Sequence, residues 1–164
     1  MLKQPLWTQN KARLIAHYLH LFVLITKHGT YIDGFAGPQQ PDKPNAWAAH
    51  LALQIQPPWL KHFHFVDANE HQVQHLHRLR TAWPDRDVQV YAGDFNTRID
   101  DILNSGTIGE REATFCLLDQ RTFECHWETV TKLASYKQGF KSVTNWAMPR
   151  LRRDRSLKAA TVPR

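Results

Sequence analysis

Apolar residues in this chain alternate between two periods, and the alternation predicts its elements. Leu14, Ile15, Tyr18, Leu21, Phe22 and Ile25 recur at the spacing of one helix face across residues 11–27. Asn10 is the expected N-cap of that helix and Gly29 its stop. A short strand follows at 30–32, then a proline-rich loop over 38–45 and a helix over 46–55 closed by Pro57-Pro58. Residues 61–66 read as a second strand. Asn69, with Gln72 three residues on, resembles a capping box for a helix over 70–82 with Val73, Leu76 and Leu79 as its buried stripe. A third strand is expected at 87–91, a short helix at 97–103 burying Ile99, Ile102 and Leu103, and a fourth strand at 114–118. Trp127, Val130, Leu133 and Ala134 mark a last helix.

The order is a helix followed by strand and helix four times over. Such alternation predicts an α/β fold: a Rossmann-like parallel sheet with right-handed crossovers and helices on both faces. Past Tyr136 the pattern stops, and nothing in 138–164 reads as a buried strand. The expectation is therefore a domain over 1–137 with about four strands, an incomplete core, followed by a disordered tail over 138–164. A sheet ending at its fourth strand would leave an open edge.

A chain of 164 residues supports one domain with a real core. No run of about 20 apolar residues occurs, which excludes a membrane span of that kind. No signal peptide is evident, and the two cysteines, Cys116 and Cys125, suit reduced thiols, so a cytoplasmic location is expected. The net charge of +6 is unevenly spread. Residues 1–136 hold 13 Lys or Arg against 14 Asp or Glu, whereas 137–164 hold 8 basic residues and one acid. Nucleic-acid binding would thus rest on the tail alone, and an unstructured end is favoured over it.

Candidate chemistry gathers at the strand ends. Thr30 to Pro38 reads as a buried strand ending in Asp33, then a turn of small residues, Gly34-Phe35-Ala36-Gly37. A strand that stops this way is expected to leave backbone N–H groups facing outward, where glycine permits close approach. Asp67, Asp94 and Asp119 follow the other three strands. In an open α/β sheet, ligands bind beyond these carboxyl ends, where the strand order reverses. Each acid alone is more often a helix N-cap or turn former; four in equivalent places say more. A dinucleotide site asks for three glycines and an acid about 20 residues on, and this chain offers two glycines with Asp67 30 residues beyond Gly37. S-Adenosylmethionine has no phosphate, and its ammonium, sulfonium, hydroxyls and adenine amine suit successive acids.

Tyr31-Ile32-Asp33-Gly34-Phe35-Ala36-Gly37-Pro38, preceded by a helix with Trp7 and Lys11, resembles the first motif of the three-Cys-motif partner (TcmP) family. Phe115 to Cys125, with Trp127, resembles that family's later strand motif. The resemblance implies a methyltransferase-like Rossmann fold, S-adenosylmethionine as cofactor and a radical-SAM-like partner carrying a three-cysteine motif. It implies that Asp33 and the Gly34–Gly37 turn flank the methionine moiety and Asp67 holds the ribose. Asp94 would face the adenine with Phe95 stacking nearby, and Asp119 and Gln120 would hold the group to be methylated. The family pattern has further glycines and a Ser-Pro pair where this chain has Gln39-Gln40 and Ala46 to Ala49, and it continues for about another hundred residues with a fifth strand. A C-terminally truncated member is the expectation, with a docking subunit or inactive fragment as the alternative to a working methyltransferase.

Other features read more plainly. His71 and His75 lack the glutamate of a zinc-protease helix, and a solvated face explains them; no metal site is expected. His62 and His64 share one strand face, where one would be a hydrogen-bonded core histidine. The tryptophans are not interleaved with basic residues as base-stacking platforms are. Cys125 beside His126 is a weak nucleophile candidate, since adjacent residues rarely face each other.

Overall fold

The computed structural model describes residues 4–109, 111–119, 124–136 and 140–143. Five parallel strands form one sheet: β1 (Gly29–Asp33), β2 (Leu60–Asp67), β3 (Asp87–Ala92), β4 (Thr114–Leu117) and β5 (Phe140–Val143). Their spatial order is β3-β2-β1-β4-β5. The helices are α1 (Gln4–Thr26), α2 (Ala48–Leu53), α3 (Glu70–Ala82), α4 (Phe95–Leu103) and α5 (Trp127–Ser135), with one 3-10 turn at Pro44–Ala46.

Side chains alternate across the strands and feed two cores. Tyr31, Phe63, Phe65, Phe115 and Leu117 point to the face covered by α1, α2 and α3. Tyr31 stacks on Phe115 at 5.8 Å and meets Phe65 edge-on at 6.1 Å. Ile32, Val66, Cys116 and Leu118 point to the other face, under α4 and α5. The predicted layered α/β architecture therefore stands, with helices on both faces.

Three expectations need correction. α1 begins at Gln4, well before the anticipated cap at Asn10. Its buried stripe is Ala12, Ile15, Leu19 and Val23, whereas Leu14, Tyr18, Leu21 and Ile25 are exposed, Ile25 by 81%. Two apolar stripes of helical spacing run along α1, and periodicity alone does not say which one meets the sheet. α5, by contrast, forms where expected, with Leu133 and Thr129 buried and Trp127 69% exposed at its start. The third correction concerns the sheet, whose fourth strand is not an edge. Phe140–Val143 pairs in parallel with Thr114–Leu117, so part of the expected tail belongs to the sheet. A four-residue strand whose two polar residues, Lys141 and Ser142, stand side by side between Phe140 and Val143 gives neither an alternating pattern nor an apolar run to stand out in sequence. The remaining segment, 144–164, lies outside the described residues.

The helix starts explain how the site is aimed. Asn69 caps α3, its side chain accepting hydrogen bonds from the backbone N–H groups of His71 and Gln72. Asp94 caps α4 through the N–H of Asn96. Both caps stand at the carboxyl edge of the sheet, so the polar residues that start the helices also rim the ligand side. His64 is buried on the α4 face with both ring nitrogens occupied, Nδ1 by the Tyr91 hydroxyl at 3.1 Å and Nε2 by Thr107 at 2.9 Å. It is the hydrogen-bonded core histidine the strand pattern predicts. Burial pushes its pKa down to about 4, which keeps it neutral.

Candidate functional site

The chain passes outward from β1 to β2 and β3, then returns to place β4 on the other side of β1. The reversal opens a crevice at the carboxyl ends of β1 and β4, the place where open α/β sheets bind ligands. A cavity of about 910 Å³ occupies it. Ligand pockets commonly span roughly 300–1,000 Å³, so this one is large enough for a nucleoside-sized molecule and part of a second reactant.

Asp33, Gly34, Phe35, Ala36, Gly37, Asp67, Asp94, Phe95 and Asp119, all expected at a site, line this one cavity. The nine come from four separate strand ends, which the sheet order brings together. Gln120, expected beside Asp119, lies outside the described residues.

The turn after β1 is held from every side. Gly34 N–H donates to the Leu117 carbonyl of β4, and Ala36 N–H to the Val66 carbonyl of β2. Phe35 N–H donates to Asp33 Oδ1 at 3.1 Å, and Gly37 N–H to Asp67 Oδ2 at 2.9 Å. The indole of Trp47 donates to the Ala36 carbonyl at 2.6 Å. The expectation of outward-facing N–H groups is thereby corrected: all four are used within the protein. They form no cradle for a phosphate, because an anion would have to displace carboxylates and carbonyls already bonded there.

Both glycines are dictated by contact. A Cβ on Gly37 would lie 2.3 Å from Asp67 Oδ2 and 2.5 Å from Gln72 Cβ, and one on Gly34 would lie 2.9 Å from the Phe95 ring. Phe95 is only 1% exposed, packed against that glycine and 6.0 Å from the Phe35 ring. Its contacts make it part of the cavity floor, with little ring surface left for a base to stack on.

The acids differ in their surroundings. Asp33 is 2% exposed and takes the Tyr31 hydroxyl on Oδ2 at 3.2 Å. Burial pushes its pKa up to about 7; the Phe35 N–H opposes this, and the charge of Asp119 adds to it. Asp67 accepts from Gly37 N–H and from Asn69 N–H, at 2.9 and 2.8 Å. Asp94 takes the N–H and the side-chain amide of Asn96 on Oδ1. Asp119 is paired with Lys11, which α1 extends into the cavity.

Among the described residues, five carboxylates line the cavity against one ammonium: Glu124 joins the four aspartates, and Lys11 is the cation. Two amide oxygens at its wall, Gln40 Oε1 and Gln72 Oε1, are buried with no hydrogen-bond partner. Gln72 does not complete the capping box expected of it; its side chain turns toward Gly37 and the cavity instead. The lining is rich in acceptors, so it suits a cationic ligand that carries many donors.

Sequence reasoning missed several contributors. Lys11 is flagged in the sequence only as part of the first motif's resemblance; its pairing with Asp119, 108 residues away, is announced by no local pattern. Asn96 links the start of α4 to the 124–129 region, donating to the Glu124 carbonyl and accepting from His126 N–H and the Thr129 hydroxyl. It thereby brings Glu124 toward Asp94. The Cys125 nucleophile loses support, because burial pushes its thiol up to about 11 and little thiolate exists at neutral pH. Among the described residues no cluster of three or more metal-ligating side chains occurs, and no helix is long and apolar enough to cross a membrane.

Comparison with known proteins adds a fold. No protein-family model matches the chain, and no curated protein matches it. A solved structure described as a "putative methyltransferase" from Thermobifida fusca YX superposes with a TM-score of 0.59 at 13% identity. The match covers 87% of this chain and 54% of the other, so this chain spans about half that protein's length. The likeness is one of fold: methyltransferase-like and Rossmann-like.

Proposed function

We propose that this chain binds S-adenosylmethionine at the β1/β4 crevice and serves a methyltransferase of the TcmP type, together with a partner bearing a three-cysteine motif. The observation that carries the proposal is the cavity's lining: five carboxylates and two unpartnered amide oxygens at the switch point of a methyltransferase-like sheet. A sulfonium nucleoside with an ammonium, two ribose hydroxyls and an adenine amine presents the donors and positive charge such a wall lacks. A phosphate-bearing dinucleotide does not, since the β1 turn has no N–H to offer.

Asp33 would hold the ammonium, Asp67 the ribose hydroxyls and Asp94 the adenine amine. Each of these carboxylates has acceptor capacity beyond its internal bonds. When bound, the cofactor supplies an electrophilic methyl group. Asp119 would orient the acceptor's hydroxyl or amine by accepting its hydrogen bond, and would take its proton. Gln120 is proposed to assist it.

Isothermal titration with S-adenosylhomocysteine tests the proposal. Saturable binding is expected, weakened by Asp67→Ala. No heat from a folded sample at high protein concentration overturns it.

A second reading is favoured by the exposed stripe Leu14, Tyr18, Leu21 and Ile25 on α1. Such a stripe fits a subunit that docks a partner protein without catalysis. Co-purification with a three-cysteine-motif protein would support it, as long as Leu21→Asp abolishes the association.

A further inference from the structure

Packing on the sheet uses only one side of α1. Ala12, Ile15, Leu19 and Val23 are buried, yet Leu14, Tyr18, Leu21, Leu24 and Ile25 are 41–81% exposed. Of the eight large apolar side chains exposed among the described residues, five thus stand on this one helix, so they are not the scattered kind that needs no explanation. At about 100° per residue, Leu14, Tyr18, Leu21 and Ile25 fall within about 60° of one another and form one stripe about 16 Å long. A helix that is apolar on two sides asks for cover on both, and the core covers one. The rim of the stripe is cationic. Arg13 and His17 are exposed beside it and Lys27 beyond its end. Residues 1–32 contain no Asp or Glu at all.

We propose that α1 docks the protein on an anionic phospholipid surface, with Leu14, Tyr18, Leu21, Leu24 and Ile25 sunk to the acyl boundary and Arg13 and Lys27 on lipid phosphates. Charge decides among the possible occupants. A second copy packed stripe to stripe would bring two acid-free helices together, with nothing to pair Arg13 or Lys27. Segment 144–164 carries six Lys or Arg and one Asp, so the same rim repels it. A protein partner is commonly anchored by side chains seated in pockets, whereas here the apolar residues themselves project, Ile25 most of all, and none of the five lines the cavity. A lipid surface moulds to such a ridge and supplies the negative charge its rim lacks.

The helix lies on the surface and does not span it, since no described helix is long and apolar enough to cross a membrane. Binding of this kind adds apolar burial to attraction for anionic lipids, and a tyrosine among the apolar residues suits the boundary where one end of a side chain is wet. The basic composition of 144–164 adds attraction of the same sign. Lys11, Ala12 and Ile15 of the same helix line the cavity, so docking places the cavity beside the lipid surface. The inference does not depend on which ligand the cavity takes.

Vesicle co-sedimentation of the full chain tests the assignment. At about 0.1 M salt it should pellet with phosphatidylcholine vesicles that contain phosphatidylserine and far less with phosphatidylcholine alone, and the bound fraction should fall as salt rises. Ile25→Asp should weaken binding about tenfold or more, because an apolar contact is lost and an acid faces the lipid headgroups. Arg13→Glu should do the same. Both positions are exposed, and unchanged circular dichroism would show that the variants fold. Equal binding to the two kinds of vesicle, or none at low salt, overturns the assignment. So does binding that survives Ile25→Asp but is lost when Arg152→Gln and Arg153→Gln neutralise part of the basic segment. If Ile25→Asp turns a dimer into a monomer in light scattering, a second copy covers the stripe and the assignment fails. If Leu21→Asp releases a three-cysteine-motif protein and leaves vesicle binding unchanged, the stripe belongs to that protein instead.

Discussion

At Asp33 the demands of folding and of binding oppose each other. The side chain is buried at the end of β1, and burial raises its pKa to about 7 despite hydrogen bonds from Phe35 N–H and the Tyr31 hydroxyl. A carboxyl raised from its ordinary 3.8 contributes stability that is fully present below about pH 4 and is lost as pH rises through 7. Asp33→Asn should therefore raise Tm at pH 8 by several degrees and change it little at pH 4, which differential scanning calorimetry would read at the two pH values. An equal gain at both would remove burial of a charge as the cause. The same substitution should weaken S-adenosylhomocysteine, and flatten the rise in affinity expected of the unaltered chain between pH 6 and 8 as Asp33 ionises. A group that costs stability and gains a function in return is common at binding sites. Asp67 presents the contrast. Its carboxylate already secures Gly37 and Asn69, so its replacement would disturb the turn and α3 together.

Helix α1 shows why an element's existence is easier to read than its orientation. Its helical period was legible but its start was not, and of the face chosen from the pattern Leu14, Tyr18, Leu21 and Ile25 point outward while Ile15 and Phe22 meet the core. Leu19 and Val23, each fully buried, lie on the stripe that meets the sheet. Leu19→Ala should cost about 2–5 kcal/mol in urea denaturation, as large-to-small core changes do. Ile25→Ala should stay within roughly 0.5 kcal/mol, as exposed positions do. Comparable losses at the two sites would mean that the outward stripe is covered in solution. The loop after β1 makes a related point. Its glycines were readable as a turn, but their necessity comes from Asp67, Gln72 and Phe95, which approach from α3, α4 and the end of β2.

At the scale of the whole molecule, the sheet's fifth strand changes what truncation would do. Thr114–Leu117 is buried along its whole length and bonds to Phe140–Val143 on its outer side. A chain ending after Lys137 would expose that buried strand as an edge, a template for pairing with other chains. It should self-associate in light scattering or lose stability. A chain ending after Thr144 keeps the strand and should stay monodisperse if the unaltered chain does. Equal behaviour of the two would mean that β5 contributes nothing to the sheet's integrity. The distinction also bears on the basic tail. A deletion meant to test nucleic-acid binding must begin after the strand, or lost folding will be mistaken for lost contacts.

The sequence by itself determined the α/β class, the order of strands and helices as far as α5, and the acids that end or follow the first four strands. Period, breaker residues and caps are local, and a local signal survives without knowledge of the fold. Tertiary structure alone decided the rest. It ordered the strands β3-β2-β1-β4-β5, which placed Asp33 beside Asp119 and made one cavity of four separate turns. It chose which stripe of α1 was buried and turned the β1 N–H groups inward. It also sent Lys11 across 108 residues to Asp119. These outcomes depend on contacts between distant segments, whose free energies are realised only after the layers have packed.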